Sequence, residues 1–339
     1  MLVYRIKMND DLDAYFQHMK PHLKDSSRRV YVSTFSKLLS LLDIDFDGDD
    51  SIKEMISRRH ALYEVLGTYN VNTAKNHFNV IAEVIRHSYH EEDRKEVMTE
   101  AYKLRDDTSQ LYHKKVAAHL YSDNQKSKVI EWEDVLAVRT ALELELNQRR
   151  VRSKITHKEV LTDSEIHLLQ DAVIVGLYTY LPPLRNDFAN IKVLTGKEYR
   201  DLSKDDRTNY NYLVRYAKST KFYLHQFKTS KTHGSIVMEV PKPLKLLINF
   251  WLRVNDSGVL LINRNNETLS ANGLSKYLSQ IFERYTKKRI GSQMLRHIFL
   301  SSEFGEEIRK ELESYSYKKG VAHAMGHSVK TQGDYVKIG

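Results

Sequence analysis

The amino-acid sequence predicts a mainly α-helical chain with one small antiparallel β-sheet, an α+β fold. Three observations lead there. Apolar residues recur at helical spacing through most of the chain. Strand-forming residues concentrate in a single region, where "YNYLVRYA", "KFYLHQFKTS" and "SIVMEVP" are separated by polar turns. Capping sequences and a double proline bound the helical segments.

The elements follow in order. "SSRRVYVSTFSKLLSLLDI" sets Val30, Phe35, Leu38, Leu39 and Leu42 on one helical face, with Ser26 or Ser27 as the cap. The acidic "DIDFDGDD" is a loop broken by Gly48. It lacks the ligand spacing and the closing glutamate of a calcium loop. "NVNTAKNHFNVIAEVIRHSY" repeats the helical pattern with Phe78, Ile81, Val84 and Ile85, capped at Asn72 or Thr73. The polar stretch Leu120 to Lys128 reads as a linker between residues 1–122 and 123–339, two domains being what 339 residues suit. Beyond it come two helices, "WEDVLAVRTALELEL" and "LTDSEIHLLQDAVIVGLYTYL". The second opens at a capping box, Thr162 with Glu165, and is stopped by Pro182 and Pro183. The strand region follows, and helices resume from "PLKLLINFWLRV".

Composition bounds the function. Hydrophobic residues make up 41 %, enough for real cores, and no apolar run approaches the length of a membrane span. Acidic residues come too early at the N-terminus for a secretory signal, so a chain neither secreted nor membrane-bound is expected. With no cysteine, disulfides and thiolate zinc sites are excluded. The 53 basic and 44 acidic residues leave a net charge of +9. Such an excess suits a nucleic-acid partner, because neutralising phosphates releases counterions, and equally suits a merely soluble basic protein.

Four stretches of the second part hold basic or polar residues on an apolar framework. Arg185 follows the double proline in "LPPLRNDFANI". Lys228 and Lys231 lie in "HQFKTSKTHG", at a strand end or in its hairpin turn. In "GSQMLRHIFLSS", Ser292 is a helix cap and Arg296 sits one turn inside, with Leu295, Ile298 and Leu300 facing the core. "HAMGHSVKTQGDYVKIG" brings Gly326, His327 and Tyr335. Each stretch alone also fits a solvated or structural role. In this order the set resembles the tyrosine recombinase family: an arginine after a helix, a hairpin lysine, His-x-x-Arg, Gly-His, then a tyrosine eight or nine residues on. The resemblance spans residues 185–335, and "MLRHIFLS" and "MGHSVKTQGDY" carry its most specific segments. "LPPLRND" is reminiscent of recombinases of large DNA viruses and eukaryotic mobile elements.

The resemblance implies a helical core-binding domain at 1–122 and a catalytic domain at 123–339. Catalysis would rest on Arg185, Lys228, Arg296, His327 and Tyr335, with Lys231 as the alternative lysine and Gln293, Asp187 and His297 as accessory residues. It implies DNA cutting and rejoining through a 3′-phosphotyrosine, with no cofactor, metal or ATP. Two departures stand out. Gln293 occupies the place of the family's first histidine and cannot take a proton near neutral pH. Asp187 lies two residues after Arg185, where an acid three residues on is more usual. The partner implied is double-stranded DNA at recombination sites, bound by a homo-tetramer, in the cytoplasm or nucleus of a host cell. DNA contacts in the first part fall to Lys24, Arg28 and Arg29, and to Asn72, Thr73, Lys75 and Asn76. Only Val336 to Gly339 follow the tyrosine, so assembly would use other surfaces unless the sequence is truncated. The alternatives are a type IB topoisomerase, whose Ser-Lys-x-x-Tyr pattern is missing, and a DNA-binding protein that has lost catalysis.

Overall fold

The computed structural model describes residues 2–88, 94–119 and 121–324. The chain divides into two compact units, residues 1–120 and 121–339.

The first unit is helical: α1 (Leu2–Met19), α2 (Asp25–Ser40), α3 (Asp49–Ser57), α4 (Arg59–Gly67), α5 (Val71–Ser88) and α6 (Arg94–Ala117). Its core joins Leu12 and Phe16 of α1 to Phe35, Leu38 and Leu39 of α2 and to Phe78, Ile81, Val84 and Ile85 of α5. The expected stripe on α2 holds except at its first member. Val30 is exposed and Val32 is buried in its place, because Val32 keeps the three-residue spacing to Phe35. Two caps also differ from expectation. The N-cap of α2 is Lys24, not Ser26 or Ser27, and Asp25 opens the first turn, where its charge complements the helix dipole. The cap of α5 is Asn70, not Asn72 or Thr73, its Oδ1 accepting from the Thr73 amide at 2.9 Å. Gly48, at φ 90°, lets the acidic loop turn into α3.

The second unit begins inside the stretch expected to be a linker. Tyr121 and Val129 pack on its core, and a one-turn helix α7 (Asp123–Lys126) forms between them on the Ser122–Gln125 capping box. Next come α8 (Trp132–Gln148), α9 (Val151–Thr156) and α10 (Asp163–Thr179). Thr162 and Glu165 close the expected capping box on α10, and every residue from Leu168 to Tyr178 is buried, so α10 is the central helix. A four-stranded sheet follows: β1 (Ile191–Thr195), then α11 (Gly196–Asp201) and α12 (Lys204–Asn209), then β2 (Asn211–Arg215), β3 (Thr220–Leu224), a one-turn α13 (Ser230–His233) and β4 (Ile236–Glu239). The strands lie in sequence order. The pairs β2–β3 and β3–β4 are antiparallel, and β1 runs parallel to β2 with Ile191 opposite Asn211. The sheet is therefore mixed where a wholly antiparallel one was expected. The crossover through α11 and α12 supplies the parallel pair.

One sheet face, with Leu213, Phe222 and Leu224, joins the main core around α10. The other, with Tyr212, Val214 and Tyr223, packs on Tyr199 and Tyr216. Gly196 opens this second layer: a Cβ there would stand 2.5 Å from the Tyr216 ring. The unit continues with α14 (Lys242–Trp251), α15 (Ala271–Thr286) and α16 (Ser292–Ala324). Among the described residues of α16 the buried apolar side chains are Met294, Leu295 and Ile298. Leu300, expected on that face, is exposed, because it stands two residues, about 200°, round the helix from Ile298. No described side chain between 299 and 318 is buried.

Candidate active site

Four segments of the second unit carry the sequence candidates. The first is the loop after α10. Arg185 is exposed there, on a backbone held from below. The buried Tyr178 hydroxyl donates to the Arg185 carbonyl at 2.6 Å. Burial, aided by the charge of Asp187, pushes that phenol far above its ordinary range, so it remains a donor. Phe188 anchors the other end of the loop, its ring edge-on to Tyr178 and to Phe222 of β3, with centroids 5.5 Å apart in each pair.

The second segment is the start of α16, and it meets the first. Ser292 Oγ donates to Asn186 Oδ1 at 2.7 Å, joining positions 106 residues apart in sequence. Ser292 was expected to cap the helix. It is instead the first helical residue, buried, with its hydroxyl spent on this tie. One turn on, Arg296 is half-buried. Burial raises the proton affinity of the Asp187 carboxyl. The guanidiniums of Arg185 and Arg296 and the amides of Arg185 and Asp187 oppose that rise. Asp187 is thus within electrostatic reach of both arginines, and neither arginine is in an ion pair with a described carboxylate. Gln293 is exposed on the first turn. His297 points elsewhere, its ring edge-on to Tyr121 at 6.5 Å, and burial, with the Arg296 charge, lowers its proton affinity.

The third segment connects β3 to β4, residues 225–235. Lys228 is exposed in a turn and Lys231 is exposed on α13, so both lie past the strand end. Three side chains fix the base of this stretch. The buried Asn211 bonds the backbone of His225 and Gln226. Gln226 Nε2 donates to the Thr208 carbonyl at 2.6 Å. His225 stands between Ser235 Oγ, 2.7 Å from Nδ1, and the Tyr199 hydroxyl, 3.3 Å from Nε2. Burial lowers the proton affinity of His225. Its folded-state pKa is therefore below the unfolded 6.5, and its contribution to stability is full above that value and lost as pH falls through the folded one. The melting temperature of the wild type should drop further between pH 7.5 and pH 5 than that of His225→Gln. Parallel curves would show that His225 does not titrate in this way.

The fourth segment, with Gly326, His327 and Tyr335, lies outside the described residues. Asn186, Tyr178 and Asn211 were not singled out by sequence, and Ser292 was read only as a helix cap. Asn211 left a trace, an asparagine opening a run of strand formers.

In the first unit, Lys24, Arg29, Asn72 and Asn76 are exposed. Arg28 is not open to a phosphate: its guanidinium bonds Asp13 at 2.9 Å and Asp25 at 3.0 Å, which neutralises the charge a phosphate would need. Lys75 lies over the Tyr112 ring at 3.8 Å, and Thr73 is half-buried, its backbone amide donating to Asn70. Among the described residues no cluster of three or more His, Asp or Glu could hold a metal ion, and no helix is long and apolar enough to cross a membrane.

No protein-family profile matches the chain, and no curated protein matches its sequence. Among solved structures it is similar to the crystal structure of XerA recombinase, at 11 % identity over 87 % of this chain and 83 % of that one, with a TM-score of 0.30. At that score the likeness is distant, and chemistry has to be read from the residues themselves.

Proposed function

We propose that this chain is a tyrosine recombinase, cutting and rejoining DNA at specific sites as the integrase of a virus or mobile element. The observation that supports this most is the hydrogen bond from Ser292 to Asn186 that ties the Arg185 loop to the start of α16, with the charges of both Arg185 and Arg296 acting on the Asp187 carboxyl and neither guanidinium in an ion pair with a described carboxylate. Two permanently charged forks free to take a ligand suit the non-bridging oxygens of a phosphodiester, where negative charge grows in the transition state.

In this reading the Tyr335 hydroxyl attacks phosphorus and gives its proton to water. The bond from phosphorus to the 5′-oxygen breaks, and that oxygen takes a proton from the Lys228 ammonium, which is left as the neutral amine. Lys231, three residues on, is the alternative donor. The 3′-phosphotyrosine stores the bond energy, so the 5′-hydroxyl of another strand reverses the step without ATP or metal. His327 adds a hydrogen bond to the phosphate, and Gln293 contributes one as donor only. The protein acts on double-stranded DNA as a homo-tetramer, with phosphate contacts from Lys24 and Arg29 and base contacts from Asn72 and Asn76 in the first unit.

The test is covalent capture. The wild type is incubated, without metal, with a library of nicked duplexes of random sequence and quenched in detergent. Protein–DNA adducts enriched in one sequence are expected. Adducts with no sequence enrichment would point to a topoisomerase, and tight binding without adducts to a DNA-binding protein that has lost catalysis.

A further inference from the structure

We infer that Asn211 is the positioning residue of the lysine arm. Its carboxamide fixes where the 225–235 stretch leaves the sheet and ties that point to the Arg185 loop. This rests on the recombinase reading above.

Asn211 opens β2 and is 6 % exposed. Its Oδ1 accepts from the amides of His225 and Gln226, both at 2.8 Å. Its Nδ2 donates to the Gln226 carbonyl at 2.9 Å and reaches the Asp187 carbonyl at 3.5 Å. Two bonds accepted and two donated use the whole capacity of a primary amide. No β-branched or aromatic side chain could do this, although such residues are what strands prefer. A local choice that goes against propensity marks a position selected for something other than the strand.

The geometry has a direct consequence for the arm. Lys228 stands two residues beyond Gln226, the last residue that Asn211 holds, and Asp187 stands two residues beyond Arg185. One buried side chain therefore sets both the origin of the lysine arm and its register against the arginine loop. Proton delivery needs the lysine within hydrogen-bond reach of the leaving oxygen, and a displacement of about 1 Å can cost about a hundredfold in rate.

The experiment separates proton delivery from the rest of catalysis. Asn211→Asp keeps the shape and the accepting oxygen but sets a second oxygen against the carbonyls of Gln226 and Asp187. Cleavage is timed on a duplex captured by the wild type, and on the same duplex with sulfur replacing the 5′-bridging oxygen at the mapped scission. The thiolate leaves without a proton. Asn211→Asp should be about a hundredfold slow on oxygen and close to wild type on sulfur. Lys228→Ala should share this pattern, and Arg296→Lys should be slow on both. A wild-type rate on oxygen, or slowness on both, overturns the role of Asn211. Should Asn211→Asp not fold, Gln226→Ala decides, since that exposed side chain anchors the same stretch: a sulfur-rescued loss supports the role and a wild-type rate overturns it. Failure of the wild type itself to cleave either duplex would overturn the recombinase reading and this role with it.

Discussion

Arg296→Lys should leave the chain folded and DNA-bound while slowing strand cleavage by about three orders of magnitude. Arg296 lies one turn into α16, with Leu295 and Ile298 buried on either side, so its stem is held and its head is presented beside Asp187. A lysine there keeps the charge and much of the stem. It loses the planar fork that can bond two phosphate oxygens at once. Removing one donor aimed at developing negative charge typically costs about a hundred- to a thousandfold in rate, and a lost bidentate pair belongs at the upper end. Arg185→Lys should behave alike. The double variant should be little worse than either single one, because residues acting on one phosphate as a unit are not additive. Single-turnover cleavage at saturating protein measures this, with gel shift as the control. Equal losses of binding and cleavage would mean that Arg296 serves only the ground state.

Trp251→Ala should cost the second unit about 4 kcal/mol, a large part of the roughly 5–15 that a domain has. The indole is fully buried at the end of α14, and its Nε1 donates to the Leu260 carbonyl at 2.6 Å. Leu260 in turn donates to the Ile191 carbonyl at 2.9 Å, so the ring supports the segment that edges β1. Truncation opens a cavity and leaves the buried Leu260 carbonyl with only the longer bond from Asn255 Nδ2, at 3.4 Å. Both tryptophans, Trp132 and Trp251, lie in the second unit, so Trp132 fluorescence still reports its unfolding in the variant. Urea titration of the full chain measures the loss. A cost below about 1 kcal/mol would show that the site collapses without harm.

Helices were legible wherever periodicity and a cap agreed, as at Thr162 and Glu165 on α10. Caps were misread where several polar residues stood together. Asn70, Asn72 and Thr73 all qualify by type, and only the geometry of the first turn chooses among them. Strand β1 went unread because five residues joined to β2 by a crossover leave no hairpin signature. The proposed site was read from residue types in order, since Arg185 and Arg296 stand out on apolar frameworks. What brings them together was not. The Ser292–Asn186 tie and the Asn211 clamp are long-range pairings of ordinary polar residues, which no local pattern announces. The pairing of Arg28 went unread for a related reason: its partner Asp13 sits on another helix, 15 residues away.

The central claim is that Tyr335 becomes joined to DNA, and peptide mapping of the captured adduct tests it most directly. The adduct is digested with protease and nuclease, and the peptide bearing the residual nucleotide is sequenced by mass spectrometry. The nucleotide is expected on Tyr335, through a 3′-phosphate, with Tyr335→Phe giving no adduct. A nucleotide on any other residue, or an adduct that persists in Tyr335→Phe, would contradict the account.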